Sequence, residues 1–298
     1  MQRFFIPLLL LPLAAGAQHL ADLPDPLVGT DSKYELSHGN TYPAIFLPYA
    51  MAAWTPQTGE GGWPYQYAKD NIRGFRMTHR PSAWTIDWGS FSLMPGTGPV
   101  KFLPDQRGSK FQHANETSRA YRYDVTLDDY KTRVSMVPSV HGGLLRFAFP
   151  KGEPAWVVLD AGNGGSSVEI HPESRRITGT NSLTAREARP GFHVYFVAEF
   201  DQPFASVGTW DIKGAKDEAK QRSGPHTGAY VTFAAGTGAP VHVRVGTSLI
   251  SLEQAELALK SEFPKTDLEA AATAARARWD HELAVIDVQG GSADERRT

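Results

Sequence analysis

The 298 residues contain no cysteine. A chain without thiols closes no disulfide, carries no thioether-linked lipid anchor and holds no zinc through thiolates, so its folded state rests on apolar burial. A basic block is missing as well. The 30 Lys and Arg and 32 Asp and Glu are mixed along the chain for a formal net charge of −2, which lacks the positive footprint of a nucleic-acid-binding protein. No apolar run reaches the roughly 18 residues of a membrane helix, so no membrane span is expected. The apolar stretch Phe4 to Leu13 is short, follows Gln2-Arg3 and precedes Ala15-Gly16-Ala17. That order predicts an export signal over residues 1–17, cleaved after Ala17, and a mature protein in the periplasm or outside the cell. The histidines, among them His113, His141, His171, His193, His226, His242 and His281, read as isolated, with no HExxH spacing. No metal site is readable from them.

Aromatic and polar residues instead concentrate between His38 and Gly89, which holds four of the seven Trp (Trp54, Trp63, Trp84 and Trp88) among Gly and Pro. Indole faces beside fixed polar groups suit a sugar, whose C–H face stacks on a ring while its hydroxyls need short directional partners. Trp63 and Trp84 are the candidates for stacking, and His79 and Asp87 for contacting hydroxyls. Packing is the competing role for Trp54 and Trp88, and Asp87 has an equal alternative in accepting backbone N–H groups of its own turn. Asn40, Thr41 and Tyr42 are flanked by Gly39 and Pro43, which favours the shaping of a tight loop. Trp156, Trp210 and Trp279 read as packing residues.

From Tyr121 to Gly246 the apolar period is that of strands. Phe192, Val194, Phe196, Ala198 and Phe200 share one face, and Tyr121–Leu127 and Val241–Val245 alternate in the same way. Arg133–Val137, Leu144–Phe149, Trp156–Asp160 and Tyr230–Phe233 add short runs, and Gly162-Asn163-Gly164-Gly165 reads as a turn between them. Many short strands without intervening helices predict a mainly β fold, a large antiparallel twisted β-sandwich over residues 18–250. A helical linker over 251–298 follows. Ser251-Leu252-Glu253-Gln254 fits a capping box for a helix that ends before Pro264. From Asp267 the residues Leu268, Ala271, Ala272, Ala275, Trp279 and Leu283 form a second helical stripe. Val285-Ile286-Asp287-Val288 reads as a short strand.

The motifs Gly29-Thr30-Asp31, Gly39-Asn40-Thr41-Tyr42-Pro43-Ala44-Ile45, Leu47-Pro48, Trp54-Thr55-Pro56-Gln57-Thr58, Ile72-Arg73-Gly74-Phe75, Thr78-His79, Pro81-Ser82, Trp84, Asp87 and Phe91-Ser92-Leu93-Met94-Pro95 carry a resemblance. So do Val245-Gly246-Thr247-Ser248-Leu249-Ile250-Ser251 and Trp279. Together they resemble the N-terminal domain of the glycoside hydrolase family 92 exo-α-mannosidases. The resemblance implies a twisted β-sandwich that shapes the sugar site of a secreted, calcium-dependent, inverting enzyme acting on α-mannoside glycans. It also implies an (α/α)6 domain, following the linker, which carries the acid, the base and most or all of the calcium site. This chain ends at that threshold, so either a longer reading frame or a sandwich alone is expected. No catalytic residue is assigned within it: Asp31, Glu35, Glu60, Asp70 and Asp87 lie in loops, where carboxylates ordinarily cap turns. Ala50, Arg80, Ala83, Ile86 and Trp88 depart from the family pattern and bear on linkage preference. The alternative function is a stand-alone sandwich that binds glycans or a protein without catalysis.

Overall fold

The computed structural model describes residues 19–31, 39, 41–59, 64–80, 90–182, 191–234, 238–292 and 294–295. The proposed export segment 1–17 lies outside them. The strands are β1 (Ala53–Gln57), β2 (Asn71–Ile72), β3 (Gly74–Thr78), β4 (Phe91–Thr97), β5 (Ser109–Lys110), β6 (Thr117–Arg119), β7 (Arg122–Leu127) and β8 (Thr132–Pro138). They continue with β9 (Gly142–Ala148), β10 (Ala155–His171), β11 (Arg176–Asn181), β12 (Val194–Phe200), β13 (Ser206–Asp211), β14 (Gly214–Asp217), β15 (Gln221–Phe233) and β16 (Val241–Ser248). The helices are α1 (Pro104–Arg107), α2 (Leu252–Glu262) and α3 (Leu268–Leu283).

One antiparallel sheet runs in the order β1-β3-β4-β10-β11-β12-β16-β9-β8-β7-β6, with β15 beside β10 and the β13–β14 hairpin beyond it. The mainly β sandwich expected from the period is therefore present, built from a single sheet that curls over itself. The long strand β10 makes the fold-over possible. Its first part, Ala155–Asp160, pairs with β4, and its last part, Ser166–His171, pairs with β11. On its other edge β15 follows it throughout, with register shifts on both sides of the Asn163–His226 pair.

Gly162-Asn163-Gly164-Gly165 is thus a bulge inside one strand, not the turn expected from its composition. Gly162, Gly164 and Gly165 take φ of 81°, 89° and 102°, which bends the strand without ending it, because β15 supplies partners before and after the bend. Asp160 sits at the bend, accepting from the Gly162 N–H at 2.9 Å, the His226 Nε2 at 2.8 Å and the Arg107 guanidinium at 2.8 Å.

The curl brings distant strands face to face. Phe91 of β4 stacks on Phe196 of β12 with ring centroids 4.4 Å apart. Trp54 of β1 donates Nε1–H to the Gly142 carbonyl of β9 at 3.0 Å. Trp54, Trp156 and Trp210 are all fully buried, as packing residues should be. Each covers a glycine where a Cβ would lie within 2.4 Å of the indole: Gly143, Gly96 and Gly228 respectively. Large rings and absent side chains thereby interlock at interior density.

Both C-terminal helices dock on the sandwich. The Ser251 Oγ accepts the Gln254 N–H at 3.3 Å, so α2 starts at the cap its sequence predicts, and Asp267 caps α3 by accepting the Ala270 N–H at 3.0 Å. Ala255 and Leu259 of α2 pack on Val197. Leu268, Ala272 and Ala275 of α3 pack with Leu47, Tyr121, Val137 and Leu144. Trp279 donates Nε1–H to the Phe46 carbonyl at 2.7 Å. Val285–Val288 is not the strand expected from its composition. No described strand pairs with it, and Val285, Ile286 and Val288 are 81%, 73% and 63% exposed.

Candidate functional site

His79 follows the last residue of β3 and reaches a cleft of about 270 Å³ between β16, the β8–β9 turn and α2. Its Nε2 lies 3.5 Å from the Thr247 Oγ1, which donates to the His141 carbonyl at 2.5 Å. His141 is held in turn by Glu262, whose carboxylate accepts the His141 backbone N–H at 3.0 Å and faces its Nδ1 at 2.5 Å. Glu262 is the last residue of α2, where the helix dipole disfavours a carboxylate; the contacts from His141 offset that. Four polar groups from four separate elements therefore meet in one cleft, and Met51, Ile250 and Leu257 line its apolar side. These three are 45%, 75% and 56% exposed, so the cleft opens onto an apolar surface.

The motif residues around His79 brace this end of the sheet. Thr41 donates its N–H to the Gly29 carbonyl at 3.1 Å and its hydroxyl to the Val28 carbonyl at 2.8 Å. Gly39 has φ of 127°, and a Cβ there would lie 2.8 Å from the Gly29 Cα. The Tyr42 hydroxyl donates to the Arg80 carbonyl at 3.2 Å. Gly39, Thr41 and Tyr42 thus clasp the Gly29-Thr30 motif and the chain just after His79.

Of the residues singled out from sequence, Glu35, Asn40, Glu60, Trp63, Trp84, Asp87 and Trp88 lie outside the described residues. The chain beside Trp63 and beside the Trp84–Trp88 stretch is well anchored. The Thr58 and Gly59 N–H groups both donate to the Pro64 carbonyl, at 2.7 and 2.9 Å, next to Trp63. Phe91 pairs with Met77 beyond the other stretch. A larger concavity of about 500 Å³ opens on β10, β11, β12 and β15. It contains none of the motif residues, and its polar groups pair with one another, Ser167 with Thr180 at 2.8 Å and Gln221 with Glu169 at 2.8 Å.

Four of the histidines that looked isolated have carboxylate partners. His113 pairs with Glu116, His141 with Glu262, His226 with Asp160 and His242 with Asp201, each at 2.5–2.8 Å. Partners 121 and 66 positions away, as for His141 and His226, leave no spacing to read. Thr247 was within reach, because it lies in the Val245–Ser251 motif.

Asp160 shows the electrostatics of the interior. Burial alone would raise its carboxyl, yet the Arg107 guanidinium and the His226 hydrogen bond outweigh it and hold the group well below the carboxylate range. Asp124 follows the same order: burial opposes, and Arg122 and Ser135 prevail to lower it. Among the described residues no three His, Asp or Glu groups converge as a metal site. Their buried carboxylates Glu116, Asp124 and Asp160 are engaged by Tyr, Arg, Ser and His donors. These residues do not fit calcium, a hard cation that needs six to eight oxygen ligands as a rule of thumb.

The described residues thus form an antiparallel sandwich with docked C-terminal helices and a cleft at one end. The model of the glycosyl hydrolase family 92 N-terminal domain matches residues 25–248, and the chain belongs to that family. A solved family 92 inverting mannosidase from Bacteroides thetaiotaomicron is 35% identical, with a TM-score of 0.91, over 94% of this chain and 38% of that one. A second family 92 α-mannosidase of the same species, solved with mannoimidazole, is 24% identical with a TM-score of 0.83, over 94% of this chain and 39% of that one. A third family 92 hydrolase is 22% identical with a TM-score of 0.79, over 93% of this chain and 39% of that one. The chain thus spans about two fifths of the length of these proteins. No curated protein matches it. No helix among the described residues is long and apolar enough to cross a membrane.

Proposed function

We propose that this chain is the sugar-site-shaping part of a secreted, calcium-dependent, inverting exo-α-mannosidase that acts on α-mannoside glycans. The observation that carries the reading is the match, at 35% identity over 94% of the chain, to an inverting mannosidase of which it spans 38%. In this reading His79, Trp63, Trp84 and Asp87 contact mannose. The acid and base come from an (α/α)6 domain outside these 298 residues, as do most or all of the calcium ligands. Inversion needs two carboxyl groups about 6.5–9.5 Å apart with a water between them, and the buried carboxylates described above are each committed to structural donors.

The apolar side of the cleft supports this reading over a stand-alone binder. Met51, Ile250 and Leu257 beside His79, and Val285, Ile286 and Val288 after α3, are the exposed surface that a packed partner domain covers.

Titrating α-linked mannobioses against tryptophan fluorescence of the 298-residue chain, with hydrolysis followed in parallel, tests the proposal. Binding without turnover is expected, with affinity lowered about tenfold in both His79→Ala and Trp84→Ala by loss of buried contacts. Hydrolysis by the chain alone, or affinity unchanged in both variants, would overturn it.

A further inference from the structure

Residues that lie directly opposite one another in an antiparallel sheet share a face. Ser223 of β15 lies opposite Ser167 of β10, Ser167 opposite Thr180 of β11, and Thr180 opposite Tyr195 of β12. Four hydroxyl side chains therefore stand in line, one per strand, at strand spacings of about 4.8 Å. The next row on the same face is Gln221, Glu169 and Thr178, and it runs on into Val197 and Gly246. There α2 closes the face. Its Ala255 and Leu259 pack on Val197, and a Cβ on Gly246 would lie 2.3 Å from the Ala255 carbonyl. What stays open is the concavity of about 500 Å³ over β10, β11, β12 and β15, with Leu252 at its helical end. That volume falls within the roughly 300–1,000 Å³ of small-molecule sites.

The lining chemistry selects the occupant. It carries one carboxylate, Glu169, and one guanidinium, Arg222. Both are engaged, Glu169 by the Gln221 amide at 2.8 Å and Arg222 by the Asp211 carboxylate at 3.2 Å, so no net charge favours an anion or a cation. The backbones of β10, β11 and β12 are paired on both edges here, which leaves a peptide no strand to extend. Apolar lining is confined to Val168, Leu252 and the Tyr195 ring, too little for a lipid chain. One aromatic ring beside hydroxyls and an amide is the combination that suits a sugar. Tyr195 packs beside Val197, Ala255 and Leu259 and is half-buried, so its ring is held in place before any ligand arrives. Its hydroxyl and that of Ser223 have no hydrogen-bond partner among the described residues. Ser167 and Thr180 share a single hydrogen bond, and a hydroxyl that gives one and accepts two keeps capacity for more.

We propose that this face is a second carbohydrate-binding site, which takes an uncharged oligosaccharide by stacking it on Tyr195 and hydrogen-bonding its hydroxyls to the Ser223–Ser167–Thr180 row. It shares no lining residue with the His79 cleft and does not depend on the reading of His79 as a sugar contact.

Amide chemical-shift mapping of the ¹⁵N-labelled 298-residue chain, titrated with α-linked mannotriose and separately with glycerol, tests the proposal. Shifts should concentrate on Ser167–Glu169, Thr178–Thr180 and Tyr195, and should persist in His79→Ala. Affinity read at these amides should fall about tenfold in Tyr195→Ala and a few-fold in the double variant Ser167→Ala with Thr180→Val. Tyr195→Phe keeps the ring and should lose less than Tyr195→Ala. All four positions are only partly buried, and melting temperatures check that each variant folds. Silence on this face at millimolar mannotriose would overturn the proposal, as would sheet-face affinity unchanged in Tyr195→Ala or equal shifts from glycerol. Shifts confined to His141 and Thr247–Ile250 would also overturn it while leaving the end cleft as the sugar site. Sheet-face binding without any response in that cleft would support it and count against His79 alone.

Discussion

The Glu262 carboxylate grips His141 at two points, accepting its backbone N–H at 3.0 Å and meeting its Nδ1 at 2.5 Å. The end of α2 is thereby locked to the β8–β9 turn and one wall of the cleft to the other. Hydrogen bonds to a charged group contribute about 1.5–3 kcal/mol. Glu262→Ala should destabilise the chain by about that amount, and amide exchange in α2 should accelerate more than exchange in β16. Uniform acceleration across the sandwich would show that the contact is not a local latch.

The Asp160 ion pair makes a pH prediction. Its carboxyl binds a proton more weakly folded than unfolded, because Arg107 and His226 favour the charged form despite burial. The stability it contributes is therefore complete above the ordinary value of 3.8 and declines as pH falls through that value towards the lower folded one. Asp160→Asn should flatten the acid limb of a urea-midpoint-against-pH curve. At neutral pH it should also destabilise by about 3–5 kcal/mol, since it leaves Arg107 charged at 2% exposure without its partner.

Gly143 is where β9 admits the Trp54 indole, and a Cβ there would lie 2.4 Å from the Trp54 Nε1. Gly143→Ala should destabilise by about 1–3 kcal/mol through overpacking. Trp54→Phe in the same chain should recover part of the loss by removing the clashing nitrogen. Additive effects of the two changes would contradict direct contact.

Ile250 and Leu257 expose apolar side chains beside the cleft. The 298-residue chain should self-associate with rising concentration, and Ile250→Glu with Leu257→Glu should abolish that in light scattering while leaving the melting temperature nearly unchanged. Association that persists in the double variant would assign it to another surface.

Local sequence accounted for β7–β9, β12, β16, parts of β10 and β15 and the cap of α2, but not for β1–β6, β11, β13 or β14. Val194, Phe196, Ala198 and Phe200 of β12 are buried as the alternating period selects, while Val197 on the other face is buried too, under α2. Ser251 and Asp267 cap helices through contacts three residues away. Gly162–Gly165 was misread because composition cannot tell a turn from a bulge; the difference lies in β15, which comes some 60 residues later and runs along both sides of the bend. Val285–Val288 was misread for the converse reason: strand composition makes no strand without an edge to pair with.

By itself the sequence determined the mainly β class, the capped C-terminal helices and, through its ordered motifs, the family to which the chain belongs. These depend on period, on neighbours within a turn or on residue order, all of which are local. The tertiary structure alone decided which groups meet: His79 with Thr247, His141 with Glu262, and Glu116 with Tyr65. Such pairs form when a curled sheet brings remote strands together. Their partners are chosen by packing and by the need to satisfy buried polar groups, and neither requirement leaves a spacing in the chain.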